Sequence, residues 1–222
     1  MTDIQGALHT RLSGQSPFVA AVINNGGGYS GGVTTLTVHS LPEDLGNGVL
    51  LTFSSGATFT LTSSASKGGT TITGSGGLVD SVADNEAATV AYSSGLVLED
   101  DDVQSKMEEM LNRVRVMAIV LRPISMIRVL EKTVVDFNWE VDCIENPAVN
   151  RPVSGTYYTA EAIAESVFVL LDNYQIPNST VTGTNSSRSS SIVRMGTEEP
   201  AGSLVRYKVN GFVRSKLNVN IT

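Results

Sequence analysis

The sequence of 222 residues contains one cysteine, Cys143, and two histidines, His9 and His39. A single thiol cannot form an intramolecular disulfide, and it cannot supply the several cysteines of a structural zinc site. The two histidines are far apart in the sequence, in a predicted helix and a predicted turn, where packing or surface roles explain them best. The chain therefore offers few of the residues on which zinc sites and Ser-His-Asp triads depend.

Long hydrophobic runs are also missing. The longest, such as Val116–Leu121, fall far short of the roughly 20 residues that a membrane-spanning helix needs. The first residues, MTDIQGALHTRLSG, include an acid and no apolar segment, so they do not resemble a secretory signal. A hydrophobic content of 41% is typical of a globular protein. We expect a protein that is made and retained in a cytoplasm.

Basic residues are scarce in the front of the chain. The first hundred residues hold 2 basic and 8 acidic residues but 16 of the 21 glycines, whereas the rest hold 13 basic and 14 acidic residues. A net charge of −7 argues against a general nucleic-acid binder, which usually carries a basic patch. The change of composition predicts two domains. Residues 1–24 and 99–222 form one, and residues 25–98 are inserted into it as a Gly/Thr-rich β domain.

The inserted segment has the pattern of a small β domain. Leu50–Phe53 and Ala57–Leu61 read as a hairpin whose turn uses Gly56 for a positive φ. Gly31–Thr37 is echoed by Gly68–Thr73, and each copy is followed by a loop that contains Asp. Threonine at strand positions and glycine or serine at turns predict a small all-β barrel or sandwich.

The rest of the chain predicts an α+β fold, an antiparallel sheet packed by amphipathic helices. Thr133–Ile144 alternates apolar and polar residues, which indicates a strand with one buried and one wet face. Thr159–Tyr174 carries one apolar stripe and predicts a helix. Leu204–Val213 predicts a further strand, and Glu99–Asn112 a further helix. The Ser/Thr-rich stretch Val181–Ser191 is predicted to be an exposed loop or hairpin tip.

None of the candidate chemical motifs is convincing. Gly26–Gly32 is glycine-rich, but no Gly-Lys-Ser/Thr and no helix follow it, so it does not predict a phosphate-binding loop. Glu99–Asp102 lacks the alternation and central glycine of an EF-hand. Cys143 falls on the apolar side of its strand and is predicted to be a core residue. We expect no catalytic, cofactor or metal site, and a protein that is not an enzyme.

The back half resembles the tail terminator proteins of long-tailed bacteriophages, and more loosely the related neck and tail-completion proteins. The resemblance rests on the order of a Trp-containing strand with alternating acids, Val134–Val141, then the helix Thr159–Tyr174 and a Tyr-containing strand, Leu204–Val209. The segment Glu145–Arg151 is also similar. The inserted module is similar to small β domains of phage virion proteins in its segments Gly31–Val38, Leu41–Pro42 and Leu51–Thr58.

This resemblance implies a ring, commonly a hexamer, that terminates the tail tube and joins it to the head connector or neck proteins. DNA would pass through the lumen without specific binding, and no membrane would be involved. The protein would be part of the virion, assembled in the host cytoplasm. Subunit or partner contacts are predicted at loops and charged strand positions: Asn150, Arg151, Arg188, Arg206 and Lys208.

Two alternatives stay open at this point. The chain could be another neck, tail-completion or decoration protein of the virion, because these share most of the same signals. It could instead be a binding module whose β domain recognises a carbohydrate or a host surface. Few aromatic residues in the β domain are available for sugar binding, among them Tyr29 and Phe53.

Overall fold

The computed structural model describes residues 4–90, 93–98, 115–121, 125–130, 134–148, 158–176, 186–198 and 204–216. The helices are α1 (Ile4–Leu12) and α2 (Ala160–Leu171). The strands are β1 (Ala21–Val22), β2 (Thr35–Thr37), β3 (Leu50–Phe53), β4 (Thr58–Leu61), β5 (Thr71–Val79), β6 (Ala87–Thr89), β7 (Gly95–Leu98), β8 (Val116–Val120), β9 (Ser125–Leu130), β10 (Val134–Glu145), β11 (Ser186–Glu198) and β12 (Leu204–Lys216). They form two compact units. The front unit holds Gly14–Ser94 and Tyr158, and the back unit holds the other described residues.

The predicted α+β class is wrong, because strands dominate both units. Of the described residues, 47% lie in strands, while α1 and α2 span 9 and 12 residues. The largest error concerns Val181–Ser191, predicted as an exposed loop or hairpin tip, whose described part, 186–191, belongs to β11. Its serines form a strand because their backbone pairs with β12, and side-chain hydropathy gives no hint of that pairing.

The front unit is one six-stranded sheet in the order β1-β6-β3-β4-β5-β2. Its two outer strands meet, because a bridge joins Ile23, just after β1, to Val38, just after β2. The backbone N–H of Asn24 donates to the carbonyl of Thr37 at 3.0 Å, and that of His39 donates to Val22 at 2.8 Å. The inner face buries one apolar cluster that includes Leu36, Leu51, Phe59, Ile72 and Ala88.

The predicted hairpin is confirmed. β3 and β4 pair antiparallel, and Gly56 in the turn between them has φ +93°. The front boundary differs from the one predicted at residues 24 and 25. The predicted back domain includes residues 1–24, but β1 pairs with β6 of the front sheet, so the front unit begins at Gly14.

The back unit contains a sheet in the order β11-β12-β10-β8-β7, with β9 paired to the first part of β10. β7 runs parallel to β8, and the other neighbours are antiparallel. The predicted strand Thr133–Ile144 is confirmed as β10, and Trp139, Val141 and Cys143 on its apolar face are buried. The helix predicted from Glu99 lies outside the described residues.

Helix α2 begins at an N-cap that its sequence specifies. Thr159 accepts a hydrogen bond from the backbone N–H of Ala162 at 3.2 Å, which satisfies one of the free donors of the first turn. The apolar stripe is buried, including Ile163, Val167 and Leu171. Ser189 Oγ of β11 donates to the carbonyl of Phe168 at 2.7 Å, which ties the helix to the outer strand of the sheet.

Among the helices that the structure describes, none combines the length and the apolar character that crossing a membrane requires.

Candidate interaction surface

Three ion pairs link β10 to β12 on one face of the back sheet, which we call the ion-pair face. Arg214 Nη2 lies 2.9 Å from Asp136 Oδ2, Lys208 Nζ lies 2.5 Å from Glu140 Oε1, and Arg206 Nη2 contacts Asp142 Oδ2. The three acids are even-numbered residues of one strand, so their side chains point to the same side. Opposite charges across paired strands stabilise the register of the pair.

The three pairs differ in burial. The side chain of Asp142 is 3% exposed, and Arg206 covers it with two hydrogen bonds, one of them from Nε to Oδ1 at 3.1 Å. A carboxylate that is buried to this degree needs such a partner, because desolvation of an unpaired charge is costly. The predicted wet face of β10 is therefore only partly wet: Asp136 and Asp142 are buried, because arginines of β12 reach across them.

The outermost pair is the most solvated. Arg214 is exposed, and its guanidinium lies 5.4 Å from the ring centre of Phe212. The hydrogen bond to Asp136, together with the charge of that carboxylate, raises the pKa of Arg214. This end of the face presents a charged group to solvent in a fixed orientation, which suits a contact with a partner.

Three of the five residues predicted for subunit contacts lie on the neighbouring strands β11 and β12 of the back sheet. Arg206 and Lys208 lie on the ion-pair face, where both are held by acids of β10. Arg188 of β11 lies opposite Phe212 and is exposed. Asn150 and Arg151 lie outside the described residues. Arg206 and Lys208 thus have a role within the sheet, which the alternation of their strand did not show.

A buried ion pair that sequence reasoning missed lies at the other end of β10. Arg115 donates to Glu145 Oε1 from Nε at 3.0 Å and from Nη2 at 2.7 Å. The other oxygen of Glu145 accepts from the backbone N–H of Ala160 at 3.1 Å, and Arg115 Nη1 donates to the carbonyl of Pro147 at 3.1 Å. This cluster fixes the entry to β8, the end of β10 and the start of α2. In the sequence, Glu145 is a single acid at the end of a strand, which does not indicate an ion pair with Arg115.

Cys143, His9 and His39 differ in burial and in hydrogen bonding. Cys143 is fully buried, as predicted, and burial raises the pKa of its thiol far above the ordinary range. Burial lowers the pKa of His9, against a smaller opposite effect of a hydrogen bond with the backbone of Leu96. His39 belongs to the front unit, where its Nε2 lies 3.1 Å from Asn85 Oδ1. Within the described ranges, no three His, Cys, Asp or Glu residues are grouped as a metal site.

The back sheet also has two open edges, at opposite ends of its strand order. Counting described residues only, β12 is the one strand that pairs with β11, and β8 is the one strand that pairs with β7. The start of the β11 edge is partly covered, because the backbone N–H of Ser187 donates to the carbonyl of Tyr174 at 2.7 Å and that of Ser189 donates to Asp172 Oδ1 at 3.3 Å. On β7, the backbone of Leu96 hydrogen-bonds with His9.

Both edge strands expose aliphatic side chains, namely Ile192 and Val193 on β11 and Leu98 on β7. Irregularities at Ser189/Ser191 and at Met195/Glu198 leave Ser191–Met195 as the regular part of the β11 edge.

Comparison with known proteins found no family model that matches the chain, and no curated protein or solved structure that matches it either.

Proposed function

We propose that this chain is a structural subunit that joins copies of itself edge to edge into a ring. The ring would terminate the tail tube of a tailed bacteriophage and join it to the head connector. The observation that carries the proposal is that β11 and β7, at the two ends of the back sheet, each pair with a single strand among the described residues, and that the regular edge of β11 at Ser191–Met195 carries exposed aliphatic side chains. An open edge presents unpaired N–H and C=O groups, which a strand of another chain can satisfy.

The two edges are different surfaces, and this difference decides the symmetry. When edge β11 of one copy meets edge β7 of the next, each contact is heterologous, and copies add head to tail. Such a series ends only when rotation between neighbours closes it into a ring. The exposed aliphatic residues Val193 and Leu98 would be buried in this contact, which adds apolar burial to the backbone hydrogen bonds.

The remaining parts of the proposal come from the resemblance of Val134–Val141, Thr159–Tyr174 and Leu204–Val209 to tail terminator proteins. It supplies the ring size of six, the tail tube and neck proteins as partners, and a place in the virion after assembly in the host cytoplasm. The net charge of −7 supports a lumen that DNA crosses without binding, because an acidic surface releases no counterions from DNA. We propose a structural role without catalysis.

The first test is the mass of the purified protein by light scattering, with negative-stain imaging of the same peak. Six copies of 23.4 kDa give a ring of about 140 kDa. The edge variant is Val193→Lys, which places a charge at a side chain that is 44% exposed on β11. Its matched control is Val169→Lys, the same change at a side chain that is 72% exposed on α2. We expect rings from the wild type and the control, and smaller species from Val193→Lys.

Some rings close only on their tube, so the second arm mixes the protein with polymerising tail tube protein. We expect tubes to stop growing with wild type and with Val169→Lys, and to keep growing with Val193→Lys. A protein that is monomeric alone and has no effect on tubes would overturn the proposal. Equal rings from both variants would overturn the use of the β11 edge.

A further inference from the structure

Three asparagines of the chain are followed by glycine, in the pairs Asn25-Gly26, Asn47-Gly48 and Asn210-Gly211. An asparagine in this position can lose its side-chain amide without an enzyme, because the backbone nitrogen of the glycine attacks the carboxamide carbon and no Cβ hinders it. The reaction needs a carboxamide that is free to turn toward that nitrogen and a backbone that can close a five-membered ring. The structure places the three pairs in different environments.

The pair Asn210-Gly211 lies in the middle of β12, between β10 and β11. Asn210 is paired with Glu140 on one side and with Ser191 on the other, and Gly211 is buried against Trp139. Ring closure there would require both strand ladders to open, and core strands open at the highest cost in a protein. This pair is therefore protected by the sheet.

The pair Asn25-Gly26 belongs to a turn of the front unit, where hydrogen bonds hold Asn25 at three points. Its backbone N–H donates to Asp84 Oδ1 at 2.8 Å, and its side-chain Nδ2 donates to the carbonyl of Gly28 at 2.5 Å. Its own carbonyl accepts from the N–H of Gly28 at 2.6 Å. The carboxamide is thus anchored on Gly28, and it must leave that position before its carbon can meet the nitrogen of Gly26.

The pair Asn47-Gly48 is exposed, in the turn before β3. No hydrogen bond joins the carboxamide of Asn47 to any residue that the structure describes, and a Cβ at Gly48 would meet no atom within 4 Å. One bond restrains the pair, from the N–H of Gly48 to the carbonyl of Leu61 at 2.9 Å, just beyond the paired residues of β3 and β4. A solvent-exposed backbone hydrogen bond of this kind opens at low cost.

We propose that Asn47 is a site of spontaneous deamidation in the folded protein, and that it reacts ahead of Asn25 and Asn210. The nitrogen of Gly48 loses its proton to hydroxide and forms a bond to Cγ of Asn47. The Cγ–Nδ2 bond then breaks, and Nδ2 takes a proton from water and leaves as ammonia. Water opens the resulting succinimide at either carbonyl, which gives aspartate or isoaspartate. The net reaction consumes one water and releases one ammonia.

The isoaspartate product changes the front unit more than the aspartate product does. Both add a negative charge, but isoaspartate also routes the main chain through the side-chain carbons and lengthens it by one atom. The N–H of Gly48 and the carbonyl of Val49 both bond to Leu61, at 2.9 Å each. An added atom directly before Gly48 displaces these bonds, so the front unit with isoaspartate should melt at a lower temperature than the one with aspartate.

The test compares the folded chain with the chain unfolded in guanidinium chloride, both at pH 7.4 and 37 °C. A protease that cuts after glutamate separates Asn25 from Asn47 at Glu43, and tandem mass spectrometry locates deamidation at each asparagine. In the unfolded chain the three pairs should react at similar rates, since glycine follows each asparagine. In the folded chain Asn47 should keep its rate within about threefold, Asn25 should be slowed at least tenfold, and Asn210 at least a hundredfold.

Two further measurements check the chemistry. Chromatography of the peptide should show both isoaspartate and aspartate at position 47, and the rate should rise from pH 7.4 to 8.4, because hydroxide removes the proton of Gly48. Asn47→Gln, whose side chain would have to close a six-membered ring, is the matched control and should stay intact. Protection of Asn47 as strong as that of Asn25 would overturn the inference. So would a product that contains aspartate alone, or a rate that does not change with pH.

Discussion

Gly211 lies directly against the indole of Trp139, because the two residues face each other across β10 and β12. A Cβ at position 211 would overlap carbon atoms of that ring and the carbonyl oxygen of Arg188. Atoms on both sides leave no direction in which one methyl group could be accommodated. Trp139, the largest fully buried side chain of the back unit, therefore fits because Gly211 has no side chain.

We expect Gly211→Ala to destabilise the back unit by about 2–3 kcal/mol, the cost of forcing an extra carbon into a packed core. Urea unfolding followed by far-UV circular dichroism measures the loss, since this signal does not depend on Trp139, the only tryptophan. The matched experiment repeats the change in a Trp139→Val background, where the ring is absent. The penalty should be clearly smaller there. An equal penalty in both backgrounds would show that the ring is not the cause.

Part of this residue-scale picture is visible in the sequence. The burial of Trp139 and Cys143 follows from strict alternation along one strand, because a strand with one covered face hides every second residue. The need for glycine at position 211 does not follow, since it depends on which strand lies beside β10 and in which register. The same holds for Asp142, whose burial requires Arg206 on that neighbouring strand.

At the scale of secondary-structure elements, the pairing of β10 with β12 is the centre of the back unit. The two strands pair over twelve residues, and their ion pairs differ in exposure: the side chains of Asp142 and Arg206 are 3% and 27% exposed, and those of Asp136 and Arg214 are 12% and 49% exposed. The geometry of the two pairs is alike, since each arginine donates from Nε and Nη2 to both oxygens of one acid. Burial is the main difference between them.

This similarity allows a matched prediction. Removing Arg206 leaves a buried carboxylate without its partner, so Arg206→Ala should destabilise by about 3 kcal/mol. Arg214→Ala should cost much less, because water replaces the exposed guanidinium. Double-mutant cycles with Asp142→Ala and Asp136→Ala, measured by urea unfolding, should show a strong coupling for the first pair and a weak, salt-sensitive one for the second. Equal couplings would contradict the dominance of burial.

The elements themselves were predictable to different degrees. β10, α1 and α2 follow from periodicity, because their apolar residues repeat at the spacing of the element that buries them. β11 could not be found this way. Its first half is Ser-rich, and it is a strand because β12 offers a free edge of matching length. The short strands β7 and β9 were missed as well. β7 pairs with β8, which is distant in the sequence, and β9 pairs with β10, which follows it.

At the scale of the whole molecule, the chain consists of two units with different surfaces, as the shift in glycine and basic residues indicated. The composition could show that two kinds of sheet are present, because low charge and many glycines suit tight turns and close strand packing. It could not place the boundary at Gly14, which depends on the pairing of β1 with β6.

The last prediction concerns the front unit and its response to pH. Glu43 is half-buried and accepts a hydrogen bond from Ser16 Oγ at 3.2 Å, and Ser16 lies 2.8 Å from the hydroxyl of Tyr158. Burial raises the pKa of Glu43, and the hydrogen bond from Ser16 opposes this effect without cancelling it. The pKa of Glu43 is therefore higher in the folded state than its value of 4.5 in the unfolded chain. The folded state holds this proton more tightly.

The sign follows from this difference. The contribution of Glu43 to stability is fully present below pH 4.5 and is lost as the pH rises through the higher pKa of the folded state. Glu43→Gln keeps an oxygen that can accept from Ser16 but carries no charge, so at pH 7 the front unit of this variant should melt at a higher temperature than the wild type. Calorimetry from pH 3.5 to 8 should show the gap closing below about pH 4.5. Asp80→Asn, which removes a charge from an exposed loop position of the same unit, controls for net charge. If both variants shift the melting temperature alike at every pH, the effect belongs to overall charge, and the burial of Glu43 is not its cause.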